Sequence, residues 1–100
     1  MLDLDRITGF DWDTGNDRKS AEKHGVAQAE VEQVFFNEPL LVVADVHHSQ
    51  HELRFHALGH TTDRRLLHVT FTLRQDDSLI RVISARDMSR TERNRYAQEV

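Results

Sequence analysis

Three runs of alternating apolar and polar residues, separated only by turn-forming stretches, constrain this chain more than any other feature. Leu53 to His60 sets Leu53, Phe55 and Ala57 against Arg54, His56 and Leu58. After a turn over Gly59 to Arg65, the run from Leu66 to Arg74 sets Leu67, Val69, Phe71 and Leu73 against His68, Thr70 and Thr72. Gln75-Asp76-Asp77-Ser78 then connects tightly to Leu79 to Ser84. A period of two sends successive side chains to opposite faces of a strand, so these runs predict an antiparallel meander with one buried face. The β-rich stretch Leu40 to Val46, closed by Asp45 and HHSQHE, supplies a fourth consecutive strand ahead of them. The other face carries Arg54, His56, His68, Thr70 and Thr72, and an antiparallel sheet can leave such a face open.

The remainder reads mostly as helix. Ile7 to Asp13 brings Phe10 and Trp12 to one side of a short opening strand, and Trp12 fits a core anchor better than a platform for a nucleic-acid base. Asp13-Thr14 caps a helix running through Lys19 to Lys23, stopped at Gly25 because glycine takes the left-handed conformation freely. Val26 opens a second helix in which Ala29, Val31, Val34 and Phe35 recur at helical spacing, and Asn37-Glu38-Pro39 ends it. Met88 to Glu99 closes the chain as a third helix, with Ser89 as N-cap and Glu92 three residues later completing a capping box. The fold class predicted is α+β: an antiparallel four- to five-stranded sheet, covered on one face by two N-terminal helices and one C-terminal helix.

One hundred residues fit a single domain spanning 1–100. No window approaches the roughly 20 apolar residues of a membrane span. The chain has no cysteine, which removes thiolate metal sites and disulfides and fits a cytoplasmic protein. The net charge of −4 runs against nucleic-acid binding, but its distribution does not. Residues 1–52 hold four basic against eleven acidic side chains, a net of −7, whereas residues 53–100 hold nine arginines against six acids, a net of +3. Arginine outnumbers lysine eleven to two, a bias expected where forked contacts to phosphate or carboxylate matter.

That bias concentrates in IRVISAR, Ile80 to Arg86, where a short strand delivers Arg81 and Arg86 toward the last helix. A guanidinium stays charged and binds two oxygens at once, so it suits phosphate. Strict alternation puts Arg81 and Arg86 on opposite faces unless the strand bulges or ends before Ala85. His47, His48, His51 and Glu52 invite a metal reading, but their spacing is not that of a helical two-histidine site, and no metal or other cofactor is implied.

Four segments taken in order, WDTGN with KHGV (Trp12 to Val26), EVEQVFFNEPL, the stretch from Asp45 to Thr61 containing RFHALG, and IRVISARDM followed by ER and Tyr96, resemble the BrnT family of type II toxins. Asn16 and Ser20 depart from the lysine and asparagine that many members carry. The resemblance covers about Phe10 to Tyr96 and implies a RelE-like ribonuclease fold and a metal-independent endoribonuclease. It also implies neutralisation by a BrnA-like antitoxin with a ribbon-helix-helix part, which contacts operator DNA on behalf of both. Members' arginine-bearing strands match Arg54 and Arg86 here.

Cutting RNA without metal needs a base for the ribose 2′-hydroxyl, cations for the charge building on the phosphate, and a proton donor for the leaving oxygen. His24 and His56 are candidates for base or acid, because histidine titrates near neutrality, and Glu52 is a second base. Arg54, Arg81 and Arg86 are candidate phosphate clamps, assisted by Lys19 and Lys23. The rival expectation is a non-catalytic module that binds an antitoxin and acts as operon co-repressor, which the acidic net charge favours.

Overall fold

A computed structural model describes residues 3–12, 24–47 and 52–99. A single 3-10 turn, Leu4–Arg6, leads into strand β1, Gly9–Phe10; helix α1, Gln28–Phe36, follows, and then β2, Leu41–Ala44. Strands β3, Arg54–His60, β4, Leu66–Arg74, and β5, Leu79–Asp87, form the expected meander, and helix α2, Arg90–Gln98, closes the chain. The five strands lie in the order β1-β5-β4-β3-β2.

Two expectations are corrected. The sheet is mixed, because β1 pairs with β5 in parallel, aligning Gly9 with Leu79 and Phe10 with Ile80. The helices do not share a face. Val31 and Val34 of α1 pack on Phe55, Ala57, Val69, Phe71, Ile80 and Val82, forming the main core. Tyr96 of α2 instead packs with Leu58 and Met88, against Leu41 and Leu66, and these leucines belong to the opposite row of the pleat. Of the two expected N-terminal helices, the second is α1; the first, over Asp13 to Lys23, falls outside the described residues.

The core follows from the alternation that predicted it. Leu67, Val69 and Phe71 are fully buried, and Phe71 sits at the centre, stacked on Phe55 at 5.4 Å and met edge-on by Phe35 at 5.1 Å. Trp12 packs against this cluster and donates its indole N–H to Glu32 Oε2 at 2.8 Å. Gly59 is required by close approach: a Cβ there would lie 2.7 Å from Val34 Cγ1. The capping box of α2 forms as its sequence indicates, with Glu92 N–H donating to Ser89 Oγ and Ser89 N–H donating to Glu92 Oε1.

Arg65, just before β4, ties the α1 side of the sheet together. Its guanidinium donates to both carboxylate oxygens of Asp87 at 2.8 and 3.1 Å, to Glu30 at 3.2 Å, and to the carbonyls of His24 and Gly25. These bonds hold the Arg65 pKa above its ordinary value and the Asp87 carboxyl below its own. No helix among the described residues is long and apolar enough to cross a membrane.

Candidate functional site: a polar sheet face beneath the C-terminal helix

One irregularity settles how the arginines of β5 are placed. Thr70 aligns with Ser84, but its successor Phe71 aligns with Val82, so Ile83 is an extra residue that makes a β-bulge. The bulge reverses the phase of alternation. Ile80, Val82 and Ala85 all turn into the core, and Arg81, Ser84 and Arg86 all turn to the opposite face. Arg81 thus aligns through Thr72 with Arg54, and Arg86 aligns through His68 with Leu58. Arg54, His56, His68, Thr70, Arg81 and Arg86 therefore share one surface.

His56 is held from both sides. Its Nε2 lies 2.9 Å from Asp45 Oδ2, and its Nδ1 lies 2.9 Å from Thr70 Oγ1. An ionised carboxylate only accepts, so Nε2 carries the proton toward Asp45, and in the neutral ring Nδ1 accepts from the Thr70 hydroxyl. Asp45 is itself 7 % exposed, immediately after the edge strand β2, and it also accepts from the His47 N–H. A buried carboxylate fixing one imidazole nitrogen is an arrangement that sets the tautomer and orientation of the ring.

A second imidazole stands beside the first. The rings of His56 and His68 are 4.8 Å apart, and His68 Nε2 lies 3.7 Å from Glu92 Oε2. Burial pushes the His68 pKa below its ordinary value, overriding the carboxylate, so this ring is neutral at pH 7. His68 Nδ1 is buried without a hydrogen-bond partner.

Each arginine expected to clamp phosphate has a carboxylate neighbour, at different strengths. Arg86 meets Glu92 through two parallel bonds, Nη1 to Oε1 at 2.8 Å and Nη2 to Oε2 at 2.9 Å. Arg81 lies 3.4 Å from Asp11, and Arg54 lies 4.0 Å from Glu52. Glu52 is engaged more closely by Arg74, which donates to it at 2.8 Å. Of these three contacts to carboxylates, that of Arg86 is the tightest.

The Arg86 pair holds the Glu92 carboxyl at about 2, well below its ordinary value of 4.5, and raises the Arg86 pKa. A depressed carboxyl contributes stability that is complete above its unfolded pKa and lost as pH falls through the folded one. Glu92→Gln keeps the reciprocal cap but removes the charge. It should cost about 2 kcal/mol near pH 7, a deficit that narrows between pH 5 and pH 2. Urea unfolding across that range measures it, and a deficit independent of pH would show that the pair contributes nothing.

The other expected residues are placed less centrally. His24 is exposed, and its carbonyl accepts from Arg65, which ties it to the α1 side of the sheet. Lys19 and Lys23 lie outside the described residues, as do His48 and His51 of the histidine-rich loop. Among the described residues no group of three or more metal-ligating side chains converges.

Alternation places His68 and Thr70 on this face, but Asp45, Glu92 and Arg95 are participants that sequence reasoning did not bring to it. Arg95 lies on the charged C-terminal helix, where exposure to solvent is the default. It instead lines a groove of about 400 Å³ between α2 and the sheet, together with His56, His68, Arg86, Thr91 and Glu92. One available signal was Leu58, an apolar residue in an otherwise polar row, which requires a covering element and so calls α2 onto this face.

In chemical terms the groove offers an oriented imidazole with a buried carboxylate behind it, a second neutral imidazole, and guanidinium groups around both. No curated protein matches this chain. Residues 12–92 match the family model described as ribonuclease toxin, BrnT, of type II toxin-antitoxin system. Because that match spans most of its length, the chain belongs to the BrnT family, the ribonuclease toxins of type II toxin–antitoxin systems.

Proposed function

We propose that this chain is a metal-independent endoribonuclease acting on the polar face of its sheet, with His56 moving the proton. The observation that carries this reading is the chain Asp45–His56–Thr70, bonded at 2.9 Å on each side of the imidazole and flanked by cations. When RNA binds, its 2′-hydroxyl replaces the Thr70 hydroxyl as the donor to His56 Nδ1. The ring takes that proton, the 2′-oxygen attacks the adjacent phosphorus, and the 5′-oxygen leaves with a proton returned to it. The products are a 2′,3′-cyclic phosphate and a free 5′-hydroxyl. Asp45 stabilises the imidazolium that forms.

Arg54 and Arg81 share one cross-strand row beside His56, and we assign them to the phosphate, with Arg95 and the remaining N–H groups of Arg86 on the other side. His24 and Glu52 belong at the edge of this assignment. The His24 carbonyl is bonded to Arg65 on the α1 side, and Glu52 is held by Arg74. Lys19 and Lys23 are kept as RNA contacts on the strength of charge alone. A BrnA-like antitoxin with a ribbon-helix-helix part is the proposed neutraliser, carrying the toxin to operator DNA, and the cytoplasm is the proposed place of action.

Replacing both Arg54 and Arg81 with glutamine should raise the KM for RNA by one to two orders of magnitude and flatten its dependence on salt, since each lost phosphate contact reduces the salt slope by about one. Steady-state cleavage at several salt concentrations reads this. An unchanged KM and salt slope would remove these arginines from the site. The tight Arg86–Glu92 pair favours the rival reading of a non-catalytic antitoxin-binding co-repressor, and an absence of cleavage by the folded parent chain would establish that rival.

A further inference from the structure

The strand order leaves β2 at the rim of the sheet, with no strand among the described residues on its outer side. Asp45 N–H donates to the Arg54 carbonyl at 2.8 Å, which makes 45 and 54 a hydrogen-bonded pair. By the alternation of an antiparallel ladder, Leu41 and Val43 also bond to β3, and Val42 and Ala44 direct their N–H and C=O groups outward. Natural edge strands blunt such a template with lysine, proline or a bulge. Leu41–Ala44 carries none of these and no charge at all.

Leu4 and Leu53 line a groove along this edge with Leu41, Val42 and Ala44, and Phe36 lines a second groove at residues 37–40, just ahead of β2. Phe36 is 78 % exposed, Val46 78 %, Leu53 63 % and Leu4 42 %. The second groove, of about 680 Å³ and just ahead of this strand, is walled by Leu4, Phe36, Pro39 and Leu40, and among the described residues the charged ones lining it are Glu38 and Glu99. Asp3 and Asp5, both exposed, flank Leu4 in the chain.

We propose that this edge and groove form the antitoxin-docking surface, taking an extended antitoxin segment that adds as a strand alongside β2. The segment places apolar side chains in the groove and lysine or arginine against Glu38 and Glu99. Strand addition supplies affinity through main-chain bonds, and pockets for alternate side chains supply selectivity. The acidic rim decides between occupants. RNA is repelled by it, and a second copy of the chain would bring one carboxylate-rimmed face against another. The proposal rests on membership of the toxin–antitoxin family and is independent of the assignment of His56.

Calorimetric titration of the chain with its cognate antitoxin tests it, using Phe36→Asp, Glu38→Lys and Ala44→Pro. Phe36→Asp puts a charge in the apolar groove, Glu38→Lys reverses the rim, and Ala44→Pro deletes an outward N–H at a position where an edge strand tolerates proline. Each should raise Kd at least tenfold with an unchanged far-UV circular dichroism spectrum. RNA cleavage by free Phe36→Asp and Glu38→Lys should equal that of the parent chain, which separates failed docking from failed catalysis. Parent-like affinity in all three variants would overturn the proposal, as would a dimer of the chain alone in sedimentation that Ala44→Pro converts to monomer.

Discussion

His56→Gln is expected to slow RNA cleavage by a factor of roughly 10² to 10⁴, the range for loss of a positioned proton-transfer group, while the fold persists. Glutamine is the informative replacement because its amide N–H can still donate to Asp45. Alanine would leave a buried carboxylate without that partner, at a cost of about 1–3 kcal/mol, and would confuse lost chemistry with lost structure. The amide cannot take up a proton near neutral pH. A large fall in kcat with little change in KM would therefore assign proton transfer to the ring and not RNA binding. A fully active, well-folded His56→Gln protein would transfer the role elsewhere on the face, first to His68, whose neutral ring is 4.8 Å away.

The largest effect on stability is expected at Phe71. Its ring is fully buried between Phe55 and Phe35, and nothing nearby can collapse into the space without breaking the pleat. Phe71→Ala should cost about 3–5 kcal/mol, from lost transfer free energy together with the cavity left behind. Domains are typically stable by only about 5–15 kcal/mol, so this variant should be extensively destabilised at 37 °C. Urea titration of the two proteins gives the difference directly, and a loss below 1 kcal/mol would mean that the two layers do not meet at this residue. Cleavage should fall in proportion to the unfolded fraction alone, because Phe71 points away from His56.

Phe71 also illustrates what was legible from residues alone. Its row of alternate apolar positions in Leu66 to Arg74 predicted both the strand and the buried face, and Ser89 with Glu92 predicted the cap of the last helix, because these signals are local. The features that shape the site are not local. Ile83 is chemically an ordinary strand residue, and only its alignment against Thr70 and Phe71 makes it the bulge that turns Arg81 and Arg86 to the same face. The parallel pairing of β1 with β5 joins residues about 70 positions apart and leaves no pattern in either segment.

The same distinction explains the site. Arginines on a strand ending in a helix were visible as cations, but not the carboxylate that engages each one. Glu92 was read correctly as a capping residue, and its second role, gripping Arg86, depends on α2 lying over the sheet and not beside it. In the sequence Asp45 simply closes a β-rich run. It is indeed at the end of a strand, but the register of β2 against β3 brings it to His56. Tyr96, which donates to the Pro39 carbonyl, anchors α2 in that position across the fold.

The most direct test of the account is the chemistry of the fragment ends. Purified chain, free of antitoxin, is incubated with RNA in EDTA, and the cleaved termini are identified by mass spectrometry. Attack by the 2′-hydroxyl predicts fragments ending in 2′,3′-cyclic phosphate and beginning with 5′-hydroxyl, formed with chelator present and lost in His56→Gln. Cleavage that stops in EDTA, resumes on adding a divalent metal and leaves 5′-phosphate ends would contradict it.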